Sequence, residues 1–153
     1  MEHAQRVIAG ELALALKWGE ANLEEAIEWA DGLISSMEIP DDDLTEVSLA
    51  SSNAEAITAL HSLSAKVQEW EIISALLQRL AQKTSMLPRE ASQLAKRLYH
   101  LKMEKDAPKF LSAFCGHWDE IDLAIDGVYG DVDSSVEAFL ADLKEAARLS
   151  ITS

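Results

Sequence analysis

Four histidines (His3, His61, His100 and His117), one cysteine (Cys115) and 27 acids set against 13 bases are the residues of this chain that could do chemistry. Helical bundles hold metals through Glu-x-x-His pairs that project inward. None of the four histidines has a glutamate three residues before it, and no His-Glu-x-x-His stretch occurs. Cys115 and His117 are two residues apart, which on a helix turns them about 200° from each other and argues against a shared ligand. Cys115 is therefore expected to be a buried structural thiol. The run Asp131-Val-Asp133-Ser-Ser-Val-Glu137 opens like a calcium loop for three residues only. Its sixth position is Val136 where glycine is needed, and its twelfth is Asp142 where a bidentate glutamate is needed. Helix capping accounts for it better. Phosphate-loop, dinucleotide and Gly-x-Ser-x-Gly patterns are absent. So many acids produce close carboxylate pairs in any fold, so such pairs carry no signal for general acid and base work. The expectation is a protein that is not an enzyme, with no catalytic residue, no cofactor and no metal.

What is left is a charge pattern. The net charge is −14, and it is unevenly spread. Residues 1 to 60 carry 13 acids against 2 bases, residues 61 to 109 carry 5 against 9, and residues 110 to 153 carry 9 against 2. Bringing phosphates to such a surface adds repulsion instead of releasing counterions, so nucleic acid and anionic membrane are excluded as expected partners. A basic protein partner is the natural complement. Acidity that serves solubility alone is the plainer account of the same composition.

The acids that could meet a cationic partner are organised by the stretch from Asn22 to Asp43. Leu23, Ala26, Ile27, Ala30, Leu33, Ile34 and Met37 recur at helical spacing and line one side, while Glu24, Glu28 and Asp31 fall on another. Pro40 stops that helix, and Asp41, Asp42 and Asp43 open a short one that continues through Glu46. Trp29 lies between the apolar stripe and the acidic row, where an indole ringed by charge would act as an interface anchor. The candidate partner-binding residues are therefore Glu24, Glu28, Trp29, Asp31, Asp41, Asp42, Asp43 and Glu46. Trp18, Trp70 and Trp118 carry no comparable setting.

Scarce glycine and proline, with Leu and Ala dominating the apolar residues, favour helix throughout. The spacing predicts a first helix over Ala4 to Trp18 stopped by Gly19, and a second capped by Asn22 with Glu25 completing the capping box. Further helices are expected from Asp43, from Asn53, over Val67 to Gln82 and from Pro88 to about Met103. The last two expected segments are Asp106 to Ile125, with Cys115 and Trp118 on its buried side, and a final helix launched by Ser134 and Glu137. Arg89, Lys96, Arg97, His100 and Lys102 give the helix after Pro88 a basic face. No fixed repeat, sustained heptad or low-complexity tract appears. The expected architecture is all-α, one domain over residues 1–153 formed as a compact bundle of seven or eight short helices. A single cysteine and an N-terminus without a basic leader or an apolar run of membrane length suggest a cytoplasmic protein.

The segment GELALALKWGEANLEEAIEWADGLI, through Gly10, Glu11, Trp29, Ala30 and Asp31, resembles small uncharacterised all-α bacterial proteins whose N-terminal half carries a similar Gly-Glu…Trp-Ala-Asp pattern. In type, size and charge the whole chain is similar to immunity proteins that neutralise bacterial toxins. That resemblance implies a toxin domain, such as a basic nuclease, as partner; immunity proteins share no common fold, so it assigns no residue. The alternative from another class is a housekeeping or regulatory helical protein with a small-ligand pocket or weak catalysis. A deep cavity on which His117, Asp119 and Asp122 converge would favour that alternative.

Overall fold

The computed structural model describes residues 1–152 and is all-α, with eight α-helices and one 3-10 turn among the described residues. The helices are α1 (His3–Trp18), α2 (Leu23–Ile34), α3 (Asp42–Ser48), α4 (Asn53–Leu63), α5 (Glu69–Leu80), α6 (Pro88–Lys102), α7 (His117–Ile125) and α8 (Val132–Thr152); the 3-10 turn is Lys109–Leu111. The chain divides into two compact units, Met1–Leu76 and Leu77–Ser153, and the division falls within α5.

In unit 1, α1 packs on α4, and α3 packs on both α2 and α4. The core is largely alanine and leucine, with Ala9, Ala13, Ala26, Ala30, Leu44, Val47, Ala56 and Leu60 fully or almost fully enclosed. Small side chains at these positions allow the helices to approach closely. Gly10 shows how closely, because a Cβ there would lie 2.5 Å from Ile72 Cδ1 and 3.1 Å from Ser64 Cβ. The ends are closed by the local chemistry expected from the sequence. Gly19, at φ 75°, donates its N–H to the last carbonyls of α1, a left-handed conformation that glycine adopts without a Cβ penalty. Asn22 Oδ1 accepts from the Glu25 N–H at 2.9 Å at the start of α2. Arg6 reaches across to donate to the Leu63 carbonyl at 3.0 Å, which ties α1 to the end of α4.

In unit 2, α6 packs against α7 and α8, and the 3-10 turn sits against α6 and α8. Phe114 and Phe139 meet edge to face at 6.1 Å in its core. Pro88 opens α6 at its first turn, as its fixed φ favours. Three expectations need correction here. The helix expected from Asp106 begins only at His117, because Asp106 takes a left-handed φ of 63° and Lys109–Leu111 winds as a 3-10 turn. Phe110, Leu111 and Phe114 are buried all the same, but Cys115 is exposed and is no core thiol. The last helix starts at Val132, where Asp131 Oδ2 accepts from the Ser134 N–H at 2.9 Å, so the cap lies three residues before the expected Ser134.

Two substitutions separate local from packing terms in unit 1. Asn22→Ala is expected to cost about 1 kcal/mol through the lost cap, and Leu60→Ala, at a fully enclosed position, roughly 2–5 kcal/mol through the cavity left behind. Urea unfolding followed by circular dichroism measures both, and equal losses would contradict this division.

Candidate functional site

The uneven charge of the sequence follows the division of the structure. Unit 1 holds fifteen acids against three bases, a net −12, while unit 2 holds twelve against ten, a net −2. The candidate residues all lie on α2, on α3 and at the N-cap of α3. Because α2 and α3 pack together, their carboxylates belong to one packed pair of helices, and Ser48 Oγ of α3 donates to Asp31 of α2 across that contact.

The eight residues are not equivalent. Glu24 and Glu28, four apart on α2, are exposed, as are Asp42 and Glu46 on α3. None of these four forms an ion pair among the described residues. Asp41 is half-buried and spends its Oδ1 on the N–H groups of Asp43 at 2.9 Å and Leu44 at 3.3 Å, so it is the cap of α3. Asp43 is half-buried. Trp29 is half-buried and packs against the core of unit 1, neither wholly enclosed nor free. An indole in that position has one part anchored and one part wet, the disposition in which tryptophan serves at interfaces.

Two depressions adjoin α3. One, of about 570 Å³, is lined by Met1, Met37, Glu38, Ile39, Pro40, Asp41 and Asp42, with Ile39 85% exposed. The other, of about 420 Å³, is lined by Thr45, Glu46, Leu49, Glu55 and Thr58, with Leu49 76% exposed. Sequence reasoning did not reach Ile39, Leu49 or Glu55. Glu55 had a legible signal, since Ser52-x-x-Glu55 is a capping spacing and Ser52 Oγ indeed accepts from the Glu55 N–H at 3.2 Å. Its Oε2 in turn accepts from the Ser51 N–H at 2.9 Å and Oγ at 3.1 Å. The backbone bond first, and the hydroxyl after it, hold the Glu55 carboxyl below its ordinary value of 4.5.

In unit 2, of the three residues of the alternative reading, His117 and Asp122 have different partners. His117 Nε2 bonds Asp142 Oδ2 at 2.5 Å, while its buried Nδ1 has no partner. Asp122 takes Ser92 Oγ and the Trp118 indole N–H, the latter at 2.9 Å. Asp119 is exposed. Lys96 lies over the Trp118 ring, 5.0 Å from its centroid, a cation–π contact between α6 and α7. Among the described residues no three His, Cys, Asp or Glu side chains are grouped to hold a metal ion, and no helix is long and apolar enough to cross a membrane. Comparison with protein-family models, with curated proteins and with solved structures returns no match.

The Glu55 carboxyl is lowered in the folded chain, so the stability it confers is present above its ordinary value of 4.5 and is lost as the pH falls through the lower folded value. Carboxyl-carbon NMR titration is expected to place Glu55 below its ordinary value of 4.5. Ser51→Ala, which keeps the stronger backbone bond, should return Glu55 only part of the way, and a Glu55 that titrates at its ordinary value would refute the Ser51 clamp.

Proposed function

We propose that this chain is a non-enzymatic binding protein whose unit 1 engages a basic protein partner, most concretely as an immunity protein that neutralises a bacterial toxin such as a nuclease. The observation that carries the reading is the concentration of net −12 in the unit that also exposes Ile39, Leu49 and part of Trp29 beside free carboxylates. Opposite charge steers a cationic partner into contact and raises the association rate, and a few apolar anchors then set the residence time. Carboxylates on such a surface can take the places where a nuclease expects phosphates, which blocks the enzyme without any chemistry by the inhibitor. The cytoplasm is the compartment that fits this role.

The test begins with capture from the source cell at low ionic strength and elution with salt, followed by kinetics on the purified pair. Reversing Glu24, Glu28 and Asp42 to lysine should lower the association rate by roughly tenfold or more and flatten its dependence on salt. Asp41 is left intact because it caps α3. Reversal of exposed Asp126 and Asp133 in unit 2 should change the rate far less. A rate indifferent to the unit 1 reversals would refute the assignment of this surface.

A further inference from the structure

The groove between α3 and α4 joins an aliphatic lining to two carboxylates, and its details narrow what it can accept. Thr45 Oγ1 donates to the Asp41 carbonyl and Thr58 Oγ1 to the Ala54 carbonyl, each at 3.0 Å, so neither hydroxyl proton is free for an occupant, and each side chain carries a methyl group besides. Leu49, at the C-cap of α3, adds an isobutyl group that is 76% exposed. Glu55 is held in place by Ser51 through Oε2, so its Oε1 is free to accept, and exposed Glu46 lines the same groove. The three bases of unit 1 are Arg6, Lys17 and Lys66, and none of them lines it.

We infer that this groove takes one arginine or lysine side chain presented by the protein partner, with its aliphatic stem against Leu49 and the threonine methyls and its cationic head at Glu46 and Glu55. The inference rests on the reading of unit 1 as an acidic binding surface and names one contact within it. Long cationic side chains carry an apolar stem and a charged tip, which matches a lining of methyl groups edged by carboxylates. A purely apolar occupant would strip water from two carboxylates and leave them unpaired. An acidic one would be repelled. Among the described residues no third His, Cys, Asp or Glu joins the two carboxylates to hold a metal ion.

The experiment follows the methyl resonances of the full chain by NMR during titration with an octa-arginine peptide, and separately with N-acetyl-arginine amide, at low ionic strength. Thr45, Leu49 and Thr58 methyls are expected to shift saturably with both probes. Glu55→Gln keeps an acceptor for Ser51 but removes the charge, and it should weaken the response about fivefold; Leu49→Ser should also weaken it while leaving the salt dependence unchanged. If octa-arginine binds with strong salt dependence but moves signals near Glu24, Glu28 and Asp42 and not those of the groove, the groove assignment is overturned and the acidic-surface reading stands. If octa-arginine does not bind at all, both fall.

Discussion

Unit 1 has to hold together against its own charge. Two exposed carboxylates about 7 Å apart in water repel by roughly 0.6 kcal/mol before salt screens them, and twelve uncompensated charges create many such pairs. Each is small beside the burial of one leucine, which contributes about 1.5–3 kcal/mol. Leu44, Leu60 and Leu63 are essentially enclosed, and the alanines of α1, α2 and α4 bring the helices close enough for those leucines to be covered from all sides. The acidic surface is therefore tolerated because the core beneath it is tight. Loosening the core would let the repulsion act.

The fold also places much of its acid where backbone dipoles welcome it. Glu24 and Glu25 lie in the first turn of α2, Asp42 and Asp43 in that of α3, and Glu55 in that of α4. Carboxylates at a helix N-terminus are each favoured by about 0.3–1 kcal/mol when exposed. Asp41 and Glu55 gain further from direct hydrogen bonds to N–H or hydroxyl groups. Residues such as Glu28 and Glu46 lie beyond any first turn and have no such compensation, so the field they project is the part of the surface a partner would feel most.

How far the sequence could be read depended on whether a signal was local. The caps at Asn22, Gly19 and Pro88 are chemical requirements met within four residues, and the structure places each where the pattern put it. The all-α class followed from helical spacing repeated along the chain. The stretch before α7 failed because Phe110, Leu111, Phe114 and Trp118 repeat at helical spacing, yet a left-handed Asp106 and a 3-10 turn bury Phe110, Leu111 and Phe114 without a helix. Cys115 then turned outward, which its small side chain allows at little cost. The run opened by Asp131 reads as helix capping, but the Ser134 and Glu137 pair drew the expected cap three residues too far along. The eight candidate residues were found as a charge pattern, but which of them are free and which are spent on capping depends on hydrogen bonds that spacing does not reveal. Leu49 is the opposite case, since its exposure follows from spacing alone. Leu44 and Val47 carry the inward stripe of α3, and a residue two further on points about 200° away from Val47, so the same periodicity that buries one exposes the other.

That geometry bears on why a groove forms beside α3 at all. A seven-residue helix has room for one buried stripe of two residues, and here it meets α2 and α4 with Leu44 and Val47. Glu46 and Leu49 are left on the remaining surface, adjoining the start of α4 where Ser52 Oγ accepts from the Glu55 N–H and the Glu55 carboxylate in turn accepts from Ser51. The carboxylate at the groove is thus a by-product of capping, and its fixed orientation is inherited from that structural duty. A binding surface assembled this way needs little reorganisation on association, because side chains already held by the fold lose less freedom than exposed, unpaired ones. By that measure Glu55 is better placed than the freer Glu24 or Glu28 to fix the orientation of a cation docked as proposed, while the latter two would serve its approach.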